Sequence, residues 1–176
     1  MSYCATCDGA FFRGKDVAIV GGGNTALEDA LFLSNVCRTV ILIHRRDVFR
    51  GEKALADRVK QRENIKIQYD STVSEIRGES AVSSVLIKNT KTGAQQDLPV
   101  SAVFVAIGLI PENEIFSRQL PLDESGYFIA GEDCKTPLGG VFVAGDCRSK
   151  LLRQIITAAS DGAVAGYQAA AYVNGL

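Results

Sequence analysis

"KDVAIVGGGNTALEDALFL", residues 15 to 33, decides how this chain folds. A short apolar run, Val17 to Val20, passes through three glycines into a stretch where Leu27, Ala30, Leu31 and Ser34 fall at helical spacing. Strand, glycine turn and helix in that order form the setting in which Gly-x-Gly-x-x-Ala binds a dinucleotide. Gly21 permits the tight turn, Gly23 lets the backbone approach a pyrophosphate, and the small Ala26 lets the helix pack close to the strand. Gly22, Asn24 and Thr25 complete the loop, where the first N–H groups of the helix face the phosphates. A plain glycine turn is the alternative, and the flanking strand and helix favour the nucleotide.

The pattern continues outward. "TVILIHRR" (39–46) is a continuous β-branched run, as in a strand buried on both faces of a parallel sheet. "GEKALADRVKQREN" (51–64) reads as an amphipathic helix and "IKIQY" (65–69) as a third strand. The β-α-β-α-β order predicts an α/β fold with a doubly wound, Rossmann-like parallel sheet and right-handed crossovers. "AVSSVLIKNTKTGAQQDLPV" (81–100) then predicts an antiparallel hairpin turning at Thr92-Gly93, inserted before the strand in "SAVFVAIG" (101–108). Beyond Gly108 come Pro111, Pro121 and Pro137, short strands in "GYFIA" (126–130) and "GVFVAGD" (140–146), and a long buried helix from about Arg153 to Val173. A boundary near Gly108 divides the chain into 1–108 and 109–176. The apolar strand and helix of the second part call for a packing partner.

The end of the second strand selects the nucleotide. An acidic residue there would grip a ribose 2′-hydroxyl, but this chain carries His44, Arg45, Arg46 and Arg50 in "HRRDVFR". Two charge-assisted hydrogen bonds to a 2′-phosphate would favour NADP(H) over NAD(H) by about 3–6 kcal/mol, a factor on the order of 10² to 10⁴. A solvated basic loop is the plainer reading. His44 suits a loop or phosphate contact better than a catalytic base.

Cys4 and Cys7 stand two residues apart in "SYCATCDGAFF" (2–12). Spacing alone leaves three readings: a redox dithiol, half of a zinc site, or an inert pair. Zinc needs four ligands, and Cys37, Cys134, Cys147 and His44 offer no second close-spaced pair, so no metal is expected. Haem attachment would need histidine where Asp8 stands. The three lone cysteines suit packing and a cytoplasmic setting rather than a secreted disulfide framework. A net charge of −1 gives no global attraction to nucleic acid or to an anionic membrane. No basic segment followed by an apolar run suggests a signal peptide, and "AVFVAIGLI" (102–110) is too short to span a bilayer.

"CATCDG", "GGGNTALEDALFLS", "LIHRRDVFR" and "GVFVAGD" followed by "RQI" together resemble the bacterial-type, low-molecular-weight thioredoxin reductases in order and approximate spacing. The resemblance implies NADPH and FAD as cofactors, thioredoxin as partner and a homodimer in the full-length protein. It implies a redox-active pair in which Cys7 lies against the flavin, Cys4 attacks thioredoxin, and Asp8 serves as acid–base. Gly21, Gly22, Gly23, Asn24 and Thr25 would cradle the NADPH pyrophosphate, with Arg45, Arg46 and Arg50 on its 2′-phosphate. Gly145 and Asp146 would hold the FAD ribityl chain, and Arg153, Gln154 and Ile155 would border the flavin ring. Residues 1–108 are then the NADPH-binding domain, and 109–176 the C-terminal part of an incomplete FAD-binding domain. The family's first glycine-rich FAD fingerprint has no counterpart here, so a truncated chain that binds NADP(H) but holds FAD weakly or not at all is expected. Alternatives are a peroxidase-reducing flavoprotein subunit and a non-catalytic NADP(H)-binding module.

Overall fold

The computed structural model describes residues 1–175, which divide into two compact units, 1–108 and from Leu109 onward. In the first unit a one-turn helix α1 (Ala5–Asp8) runs into a 3-10 turn (Gly9–Phe12). Then come β1 (Asp16–Gly21), α2 (Asn24–Ser34), β2 (Thr39–Ile43), α3 (Lys53–Lys60) and β3 (Ile65–Gln68). The unit ends with β4 (Ser71–Arg77), β5 (Ser84–Asn89), β6 (Gln95–Pro99) and β7 (Ala102–Ala106).

The parallel sheet has the order β3-β2-β1-β7, and its strands β1, β2 and β7 bury residues on both faces, whereas Lys66 on the edge strand β3 is exposed. Val17, Ile19, Val40, Leu42, Ala102 and Phe104 point to one side, where they meet Leu27, Leu31 and Leu33 of α2 and Val59 of α3. Alternate residues Ala18, Ile43 and Val103 point to the other side and meet Val85, Ile87, Leu98 and Val100. Continuous apolar strands are what this two-sided burial requires.

The second side is covered by an antiparallel sheet, not by a helix, and it has three strands in the order β4-β5-β6. The expected hairpin β5–β6 is present. Strand β4, "STVSEIR", carries no strand signal in the sequence, because its polar residues hide the pattern and a bulge between Val73 and Glu75 breaks its alternation.

In the second unit the strands expected in "GYFIA" and "GVFVAGD" do not form. Their backbones make only isolated bridges, Leu122 with Phe128, Phe128 with Arg148 and Lys135 with Phe142, around a small core of Leu120, Phe128 and Val143. The final helix α4 spans Ile155–Val173, two residues shorter at its start than expected, because Gln154 is extended (φ −145°) and forms a capping box with Thr157. It is also not the buried helix that its composition suggests. Asp161 is its one buried residue, while Ile156, Tyr167 and Val173 are exposed, since the unit's small core offers little apolar surface to pack on. No helix among the described residues is long and apolar enough to cross a membrane.

A buried ion cluster organises this unit. Arg148 donates from Nε to Asp161 Oδ2 (2.7 Å) and from Nη2 to Oδ1 (2.8 Å), a bidentate pair. Lys150 Nζ (2.8 Å) and the Gly145 N–H (2.9 Å) also donate to Oδ2. The bonds from Arg148 lower the Asp161 carboxyl; burial opposes them, and Lys150 and the Gly145 N–H reinforce them, leaving it well below the usual carboxylate range. The stability this supplies is present above the unfolded carboxyl value of about 4 and fades as pH falls toward the folded value. Asp161→Asn strands two buried cations and is expected to cost about 3 kcal/mol at pH 7. Urea denaturation should show that loss, and a smaller difference between the proteins at pH 3.

Candidate functional site

A cleft of about 470 Å³ opens at the C-terminal ends of β1, β2 and β7. Gly21, Gly22, Gly23, His44, Arg45, Arg46 and Arg50 line it together with Ala106, Ile107 and Ser71 to Val73. Asn24 and Thr25, also expected at the phosphates, do not line it. They begin α2, whose first N–H groups have no partner within the helix.

Close approach explains the glycines. A Cβ on Gly21 would overlap the Ala106 carbonyl and stand 2.7 Å from the Ala26 Cβ. On Gly22 it would overlap the His44 ring. His44 therefore forms the floor of the glycine loop: it is buried, Nε2 lies 3.0 Å from the Val48 carbonyl, and its ring packs 5.3 Å from Phe49. Gly23 has more room, with Arg50 Nη2 at 3.4 Å the nearest atom.

The arginine loop is stitched to the glycine loop. The N–H groups of Arg50 and Gly51 both donate to the Gly22 carbonyl, at 2.8 and 3.0 Å. Asn24 Nδ2 donates to Glu52 Oε1 (3.0 Å) while its Oδ1 accepts from the Glu52 N–H (2.8 Å). The Asn24 side chain is thus a tie between loops, a role its place in the fingerprint did not reveal. Lys91 braces the same loop from the β5–β6 turn, bonding Asp47 (3.2 Å) and Asp70 (3.0 Å). Asp47 forms its ion pair with Lys91, and none with Arg45, Arg46 or Arg50 among the described residues. Arg45, Arg46 and Arg50 are exposed and form no ion pair among the described residues. Three guanidiniums without an ion pair thus line the same cleft as the glycine loop, an arrangement whose field attracts anions.

Cys4 and Cys7 are joined in a disulfide across α1, with their Cα atoms 5.3 Å apart. Cys4 caps the helix, its Sγ accepting from the Cys7 N–H at 3.2 Å. Cys7 is exposed, Cys4 and Asp8 are half-buried, and Ser2 Oγ donates to Asp8 Oδ2 at 2.7 Å. Burial pushes the thiols of Cys37, Cys134 and Cys147 up, which suits packing residues with little thiolate character. Asp29 carries a signal that sequence pattern does not expose: burial, then the Glu28 charge, raises its carboxyl to about 6.

In the second unit, Gly145, Asp146 and Cys147 form a 3-10 turn, with Gly145 in the left-handed region (φ 82°) and Asp146 exposed. Arg153 donates from Nε to the Asp146 carbonyl (3.3 Å) and stacks on Tyr127, 3.7 Å from the ring centre. Gln154 caps α4, and Ile155 lies exposed beside Leu151, Leu152 and Ile156.

Over residues 1–162 the sequence matches the family described as pyridine nucleotide-disulphide oxidoreductase. The chain belongs to that family. It is 44% identical to a thioredoxin reductase of Treponema pallidum (strain Nichols) over 100% of this chain and 57% of that protein. A thioredoxin reductase of Peptoclostridium acidaminophilum is 41% identical over 98% of this chain and 57% of its own length. The crystal structure of thioredoxin reductase from Streptococcus pyogenes MGAS5005 superimposes with a TM-score of 0.94 at 41% identity, over 99% of this chain and 57% of that one. The chain spans a little over half the length of these relatives.

The spacing around the glycines predicts an order of sensitivity. Gly21→Ala, pressed against a backbone carbonyl, should cost about 1–3 kcal/mol, while Gly23→Ala should leave stability within about 0.5 kcal/mol. Urea denaturation of the two variants against the parent measures both.

Proposed function

We propose that this chain supplies the NADPH-binding and dithiol parts of a thioredoxin reductase. The observation that carries the reading is the unneutralised Arg45, Arg46 and Arg50 cluster at a glycine-lined cleft, in the unit that also bears the Cys4–Cys7 disulfide. The arginines would take the 2′-phosphate and the glycine loop with the start of α2 the pyrophosphate, while Gly21 and Ala106 would border the nicotinamide.

Opening Cys4–Cys7 consumes two electrons and two protons and yields two thiols. Cys4, as thiolate, attacks one sulfur of a thioredoxin disulfide to give a mixed disulfide, and Cys7 then displaces Cys4's new partner. The products are reduced thioredoxin and the restored Cys4–Cys7 bond. Asp8, adjoining Cys7, is the group placed to hold and return the proton.

Asp146, an exposed carboxylate that forms no ion pair among the described residues, lies on a turn held by Asp161 and suits ligand hydroxyls. The apolar run of Leu151, Leu152, Ile155 and Ile156 beside it suits an aromatic ring. These residues fit FAD, with Asp146 on the ribityl chain and Arg153, Gln154 and Ile155 at the ring. When bound, FAD supplies the relay between a hydride donor and a disulfide.

Two measurements test the reading. Arg45→Ala with Arg46→Ala should weaken NADPH binding about 10²-fold or more and leave NADH binding within about threefold. Equal losses for both nucleotides would refute the 2′-phosphate assignment. In an FAD-loaded protein carrying this chain, Cys7→Ser should abolish NADPH-driven reduction of thioredoxin while nucleotide affinity stays unchanged.

A further inference from the structure

Ser2 stands outside the Cys4–Cys7 pair, yet its hydroxyl meets both the chain of Cys4 and the side chain of Asp8. Ser2 is 6% exposed. Its backbone is clamped to β7, donating from N–H to the Val103 carbonyl (2.9 Å) and accepting from the Val105 N–H (2.9 Å). From this fixed base, Ser2 Oγ accepts from the Cys4 N–H at 3.1 Å and donates to Asp8 Oδ2 at 2.7 Å, with the Cys4 carbonyl at 3.3 Å. One hydroxyl thus spans the two ends of α1, the helix that carries the disulfide.

We propose that Ser2 is a positioning residue for the dithiol, its hydroxyl fixing the Cys4 backbone and the Asp8 carboxylate against β7 so that the two sulfurs stay within bonding reach. The proposal rests on the reading of Cys4 and Cys7 as a cycling pair. A disulfide forms in proportion to the effective concentration of one thiol at the other, which loosening of either end reduces. Deleting the hydroxyl frees the Cys4 N–H and the Asp8 carboxylate together, while the two backbone bonds of residue 2 remain. The pair should then be easier to reduce.

The test is equilibration of this chain with glutathione. Oxidised glutathione and the Cys4/Cys7 dithiol give the protein disulfide and two reduced glutathione molecules, balanced in sulfur, electrons and protons. The bonded fraction is read by alkylation and mass analysis. Ser2→Ala should shift the equilibrium constant toward the dithiol roughly three- to tenfold, the range spanned by one typical hydrogen bond. Ser2→Thr, which keeps a hydroxyl, should stay within about twofold of the parent.

A constant unchanged in Ser2→Ala, or shifted equally in Ser2→Thr, would overturn the proposal. So would loss of the native circular dichroism spectrum in Ser2→Ala, which would make the hydroxyl a determinant of the fold. Failure of the underlying reading has a different signature: the parent pair would not exchange with glutathione at all.

Discussion

The parallel pairing of β1 with β7, in register from Val17 with Ala102 to Gly21 with Ala106, is the constraint on which both chemical features of the first unit depend. At its upper end the Ala106 carbonyl presses so close to Gly21 that no side chain fits, which shapes the glycine loop and one wall of the cleft. Lower on β7, Val103 and Val105 hold Ser2, and through Ser2 the dithiol segment. Glycine loop and disulfide segment are thus both held by one strand. The strand is rigid because Val103 and Phe104 are buried on opposite faces, against the antiparallel sheet and the helices respectively.

Charge is handled in opposite ways in the two units. In the second unit, Arg148 and Lys150 are buried and matched to Asp161, and this closed cluster fixes the turn that bears Asp146. In the first unit, Arg45, Arg46 and Arg50 are left exposed with no ion pair among the described residues, while the nearby carboxylates Asp47 and Asp70 are engaged by Lys91 and Glu52 by Asn24. Matched buried charges stabilise a turn, whereas unmatched exposed charges await an anion.

Much of the first unit is legible in the sequence because its signals are local. Val17 to Val20, the three glycines and the spacing of Leu27, Ala30 and Leu31 each report on their own neighbourhood, and β1 and α2 follow. The Cys4–Cys7 bond needs only a single helical turn between its ends. What escapes is long-range. Strand β4 is mostly polar and exists because β5 pairs with it. The bonds of Asn24 to Glu52 and of Lys91 to Asp47 join residues 28 and 44 positions apart. In the second unit, apolar composition suggests strands and a buried helix, but strands need partners of matching length and helices need a surface, and neither is present around Leu120, Phe128 and Val143.

The claim on which the account turns is that the guanidinium cluster reads a phosphate on the ribose 2′ oxygen. Calorimetric titration of the chain with adenosine 2′,5′-bisphosphate and with adenosine 5′-monophosphate, each at low and high salt, tests it directly. The account predicts tighter binding of the bisphosphate by about 10²-fold at low salt, narrowing as salt screens the exposed charges. Equal affinities for the two nucleotides at low salt would contradict it.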